Sequence, residues 1–230
     1  MVKQLFVVSF VGAVVLWSTA FAGTVTLPGL AGELSVDVSS FREQRFSSVM
    51  QQQYDYSCGS AAIASLLTYH YSHDVSEQDV FTGMFAIADP EKVRKEGFSM
   101  LDMKRFLASK GYQADGFRMP LSGIREQVSL PVIVLMNLEG FRHFVVIKGI
   151  SDDEVLVGDP ARGLKAYSRA EFEGYWDGAA FVIRSHVKQG RSTFLAAGDW
   201  PQVVRAPLNK GQDGPSLGHT LPYWPSSREW

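Results

Sequence analysis

The sequence predicts an α+β domain, with a helical N-terminal half packed on a C-terminal antiparallel sheet, and three observations lead there. Apolar residues recur at helical spacing through the first half of the chain. Short runs rich in Val, Ile and Phe fill the second half, and the helices precede the strands instead of alternating with them. With 230 residues, 46% of them apolar, the chain has enough material for one ordinary core.

The first 22 residues have the pattern of a targeting segment: Lys3 as a small positive start, the apolar stretch Leu5 to Trp17, and Ala20-Phe21-Ala22 as a cleavage signal. That stretch, about 13 residues, is shorter than the roughly 20 a spanning helix needs. Residues 1–22 are therefore expected to act as a cleaved signal peptide, giving an exported, periplasmic chain that starts near Gly23 and has no membrane span. Residues 23–44 alternate loosely (Val25, Leu27, Leu34, Val36, Val38) and read as a short strand or extended arm.

A single folded domain is expected over residues 45–186. Its first helix begins near Cys58, where Ala61, Ala62, Ile63, Ala64, Leu66 and Leu67 suit a helix packed on one face. Ser76-Glu77-Gln78-Asp79 has the form of a helix cap ahead of Val80, Phe81, Met84 and Phe85. A third helix starts at Ser99, with Asp102 three residues on, and stops at Gly111. A shorter helical piece spans Leu121 to Val128. Strands follow at Val132 to Leu138, Phe144 to Ile150, Glu154 to Gly158 and Ala179 to Arg184, with a short helix from Ser168 to Tyr175 before the last. Residues 187–230 shift to Gly, Pro and polar residues with scattered tryptophans and read as an extended tail.

Composition narrows function. A formal charge of −2 and the lack of a Lys/Arg run argue against nucleic acid or an anionic membrane as partner. Cys58 is the single cysteine, and in an exported protein one unpaired thiol points to chemistry more than to a structural disulfide, although an intermolecular disulfide is a rival. At a helix start, unpaired N–H groups and the positive end of the dipole favour a thiolate. Gly59 permits close approach of neighbouring groups. Gln52, six positions upstream, is placed to donate to an oxyanion forming beside the sulfur.

A cysteine nucleophile needs a base, and the base needs a group to hold its ring. His143 opens one strand and Asp159 follows the next. The Ser151–Asp153 turn between those strands brings the two residues together. Singly, each has an equally good structural explanation, His143 as a sheet-end residue and Asp159 as a turn former before Pro160. His70 and His73, three apart beside Asp74, suggest a metal site only weakly because no further ligands cluster with them.

Gln52, the run Asp55-Tyr56-Ser57-Cys58-Gly59-Ser60-Ala61, His143-Phe144-Val145-Val146-Ile147 and Gly158-Asp159-Pro160 together resemble the motifs of cysteine peptidase family 39. These are papain-like peptidases that remove double-glycine leaders from exported peptides, and the likeness covers roughly residues 45 to 185. The resemblance implies Cys58 as nucleophile, His143 as base, Asp159 as its orienting residue, Gln52 as oxyanion donor, and no cofactor. Two departures stand out. Ser57 occupies the place where the family often has an acidic residue, and the chain lacks the transporter domains of the best-known members. The layout is similar to that of stand-alone exported members, including the periplasmic peptidase of bacterial functional-amyloid secretion systems. The implied partners are a peptide or protein precursor as substrate and components of a secretion system. An assembly module that keeps the cleft only to bind peptide is the alternative, and a transferase using the same residues would differ only in its acceptor.

Overall fold

A computed structural model of the chain describes residues 24–29, 32–37, 40–194 and 200. The expected signal peptide and the tail beyond Trp200 lie outside the described residues. The chain divides into two compact units, residues 1–40 and 41–230. In the first, Thr24–Gly29 (β1) and Gly32–Asp37 (β2) pair antiparallel, with Thr24 opposite Asp37, so part of the expected arm is a hairpin.

The second unit begins with a short helix, Phe41–Arg45 (α1), and then the helix Cys58–Tyr71 (α2). The sequence reads α2 as packed on one face, yet twelve of its fourteen residues are buried. Its Gly, Ala and Ser side chains are small enough for neighbours to close in all round, so a one-sided stripe is not needed. Three helices follow, Glu77–Phe85 (α3), Pro90–Glu96 (α4) and Met100–Ser109 (α5). Ser99 and Asp102 form a reciprocal capping box at the start of α5. The Ser76 hydroxyl accepts from the Asp79 N–H and so caps α3.

The sheet has six antiparallel strands in the order β3-β8-β4-β5-β6-β7, formed by Ala114–Arg118, Trp176–Ile183, Val132–Leu138, Phe141–Ile150, Glu154–Asp159 and Gly163–Ser168 respectively. Alternation along the strands sorts neighbouring residues into two separate cores. Ile133, Val146 and Phe181 join α2, α3 and α5 in one; Val132, Val134, Val145, Ile147 and Val182 belong to the other. That second core is closed by the helical turn Leu121–Gly123 (α6), the π-helical turn Ile124–Val128 that follows it, and the helix Arg169–Tyr175 (α7). The sheet is thus covered on both faces, one layer more than the sequence suggests. No helix among the described residues is long and apolar enough to cross a membrane.

Residues just past the expected domain edge at 186 are also folded. Val187–Thr193 forms a helix (α8), Phe194 is buried in the second core, and Gly190 fits so closely that an added Cβ would lie 2.8 Å from both Leu130 and Tyr71. The packed structure therefore continues past the start of the expected tail. Trp200 also packs, against the small cluster of Val49, Leu156 and Leu164.

At the β6–β7 turn, Gly163 has φ +81°, and an added Cβ would come within 2.5 Å of the Arg45 carbonyl oxygen. Both backbone conformation and space exclude a side chain. Gly163→Ala is expected to lower stability by at least about 2 kcal/mol, measured as a fall in the urea midpoint at constant slope.

Candidate active site

Cys58 is the first residue of α2. The Ser57 side chain, at the cap position, does not cap the helix; it turns back to donate to the Tyr54 carbonyl (3.0 Å) and accept from the Tyr54 N–H (3.1 Å). The first turn of α2 therefore presents backbone N–H groups beside the thiol without side-chain competition from Ser57. Gly59 lies against its neighbours: an added Cβ would meet the Met103 methyl at 2.8 Å, so that flexible side chain would have to move. Behind this turn Ser60 donates to buried Glu77 at 2.9 Å, a contact that reading Glu77 as a cap residue does not anticipate.

His143 and Asp159 meet as the strand pairing predicts. The His143 Nε2 to Asp159 Oδ1 distance is 2.7 Å, and both side chains are almost fully buried. Asp159 Oδ1 also accepts from the Ala161 N–H at 2.8 Å and the Arg162 N–H at 3.1 Å. Burial opposes the carboxylate charge, but the bond to His143 and these two N–H groups outweigh it and hold the Asp159 carboxyl below the usual range. Burial likewise disfavours the His143 cation. The Asp159 hydrogen bond and the interaction with Cys58 more than offset that, raising the imidazole to about 9. At neutral pH the ring is an imidazolium. Its other nitrogen, Nδ1, is buried and has no well-formed hydrogen bond in the resting structure; catalytic contacts commonly tighten only with substrate in place.

Gln52 is tied to the same centre through its backbone, whose N–H donates to the Pro160 carbonyl at 3.0 Å, next to Asp159. Its amide Nε2 donates to the Tyr54 carbonyl at 3.1 Å, which leaves a second N–H on that nitrogen for a further acceptor. His70 and His73 do not converge on a common point. His70 Nδ1 is 2.8 Å from the Thr193 hydroxyl, and burial, then the nearby Lys148 charge, lowers its pKa to about 3; His73 Nδ1 is 3.1 Å from the Tyr112 hydroxyl. Among the described residues no cluster of three or more His, Cys, Asp or Glu is placed to hold a metal.

Cys58 opens onto a cleft of about 560 Å³. Tyr56, Phe98, Met100, Leu135 and Phe144 give it an apolar lining, Lys95, Glu96 and Arg142 supply charge, and Phe141 lies on its wall. The sequence reading passes over Phe141, although an aromatic two positions before the expected base is a visible signal.

These features define a cysteine peptidase, and the chain belongs to the peptidase C39 family, whose profile matches residues 47–188. It is 45% identical over 167 residues to the Pseudomonas aeruginosa protein named "Probable functional amyloid protease FapD", covering 72% of this chain and 74% of that one. The FapD protein of Pseudomonas fluorescens is 40% identical over 166 residues, 71% and 73% of the two chains. Among solved structures, a double glycine motif protease from an AMS/PCAT transporter, crystallised with its leader peptide, aligns with TM-score 0.51 and 25% identity over 59% of this chain and 89% of that one.

Proposed function

We propose that the chain is a periplasmic endopeptidase that cuts exported peptide or protein precursors, at double-glycine-like sites, within a functional-amyloid secretion system. Its similarity to the FapD proteins supports the context, and the leader-bound structure of a double glycine motif protease supports the substrate type. The observation that carries the chemistry is the buried His143–Asp159 pair interacting with a cysteine at a helix start.

In this mechanism the Cys58 thiolate attacks the scissile carbonyl, and the Cys58 backbone N–H and the free N–H of the Gln52 amide hold the resulting oxyanion. The His143 imidazolium then gives its Nδ1 proton to the leaving amine while Asp159 fixes the ring through Nε2. Neutral His143 next draws a proton from water, which hydrolyses the thioester and frees Cys58. Every step is performed by groups of the chain and water.

The test uses the mature chain and an exported precursor with a Gly-Gly junction. Cys58→Ala is expected to lose at least about a thousandfold in kcat/KM. Equal cleavage by both proteins would remove Cys58 from the mechanism. N-terminal sequencing of the protein from a periplasmic fraction checks the location, with a start near Gly23 expected.

A further inference from the structure

We propose that Phe141 forms the subsite for the residue immediately after the scissile bond, and that the preferred substrates carry an apolar or aromatic side chain there. The inference rests on the peptidase reading above and names a substrate feature of the same site.

The argument starts from where the leaving group must be. The amine released from the tetrahedral intermediate takes its proton from His143, so its nitrogen lies within hydrogen-bond reach of the imidazole. The side chain attached one carbon further on then falls beside whatever flanks that ring. Phe141 flanks it: the two rings are 5.8 Å apart between centroids and inclined by only 26°. Phe141 and Cys58 line the same cleft, whereas Phe141 remains 57% exposed, the most exposed of the large apolar residues described. An open aromatic face next to a buried proton donor suits an apolar partner that covers the exposed Phe141 ring.

The backbone that carries the ring is fixed. Glu139 and Gly140, with φ of 53° and 95°, make the tight two-residue turn between β4 and β5, and Phe141 is the first residue after it, paired with Leu138. The Gly140 N–H donates to the Asn137 side chain at 2.9 Å, which fixes the turn. Such a rigid mount sets a preference without rearrangement on binding.

The experiment exposes a proteome-derived peptide library to the mature chain, to Cys58→Ala, to Phe141→Ala and to Phe141→Leu, and reads the new termini by mass spectrometry. Cuts that vanish in Cys58→Ala are the enzyme's own. Among them, Phe, Leu, Ile and Val are expected to exceed Asp and Glu about tenfold at the first position after the cut. In Phe141→Ala the excess falls to background, and Phe141→Leu, which restores an apolar surface, keeps most of it. An even distribution, an excess of acidic residues directed by neighbouring Arg142, or an excess unchanged in Phe141→Ala overturns the subsite and leaves the peptidase standing. A library with no Cys58-dependent cut overturns both.

Discussion

Replacing His143 with alanine is expected to slow iodoacetamide alkylation of Cys58 at pH 6 by about a hundredfold or more. An ordinary thiol is only about 0.3% ionised at that pH, so fast alkylation there requires a nearby cation, and the His143 imidazolium, raised to about 9 in part by its interaction with Cys58, is the one this substitution removes. Cleavage should suffer more than alkylation, by about a thousandfold, because the same substitution also removes the proton donor for the leaving amine. Alkylation separates ionisation from turnover, so the pair of assays shows which function is lost. If wild type and His143→Ala both react appreciably only near pH 8.5, the thiol is not activated, and a module that binds peptide without cutting it becomes the better account.

A second large effect concerns stability against pH. His143 titrates near 6.5 in an unfolded chain and at about 9 in the fold. Its raised pKa contributes stability that is fully present below pH 6.5 and disappears as pH rises through about 9. The difference corresponds to on the order of 3 kcal/mol, and the side chain is too well buried for solvent to screen much of it. Asp159 acts at the other end: its lowered pKa stabilises the fold above about pH 4 and the contribution is lost on acidification. Because the two groups form one pair, their contributions are not additive. Thermal melts should therefore show a plateau between about pH 4 and 6.5, with a decline of roughly 6 to 12 °C by pH 9.5. In His143→Ala the alkaline decline should be largely gone. Parallel declines in both proteins would mean that the pair does not set the alkaline limit.

What was readable in the sequence follows from how strongly each segment repeats its pattern. The helices beginning at Cys58, Glu77 and Met100 and the strands 132–138, 141–150 and 154–159 have several buried residues each, and the sequence reading places all six near their observed positions. Residues 90–96 went unread because only Val93 is buried in that helix, although Asp89-Pro90 is a good start signal and the Asp89 carboxylate does cap it. Strand β3, Ala-Asp-Gly-Phe-Arg, is an edge strand whose last three residues are exposed, so no apolar alternation marks it. Strand β7 has only three buried residues, one of them Gly163, and α8 is polar apart from Val187, its fit depending on the absence of a side chain at Gly190.

The meeting of His143 with Asp159 was more legible than the helical layer on the second face of the sheet, for a physical reason. Cys58, His143 and Asp159 are residue types whose chemistry is specific, and two of them lie at the ends of adjoining strands whose pairing is forced by a short turn. The surroundings that tune them are not encoded in any local pattern. The contact of Ser60 with Glu77 and the stacking of Phe141 on His143 depend on three-dimensional proximity, which a linear reading does not provide.

The hydrogen bond from Gln52 to Pro160 joins segments 108 positions apart in the numbering, and it closes beside Asp159, the partner of His143. Contacts over such separations form late, since the intervening chain must give up its freedom before they contribute anything. During refolding, the far-ultraviolet signal of the helices should therefore recover ahead of thiol reactivity. A chain caught partway would already have α2 while still lacking the assembled site, so a half-folded molecule is expected not to cut its own exposed segments or those of its neighbours.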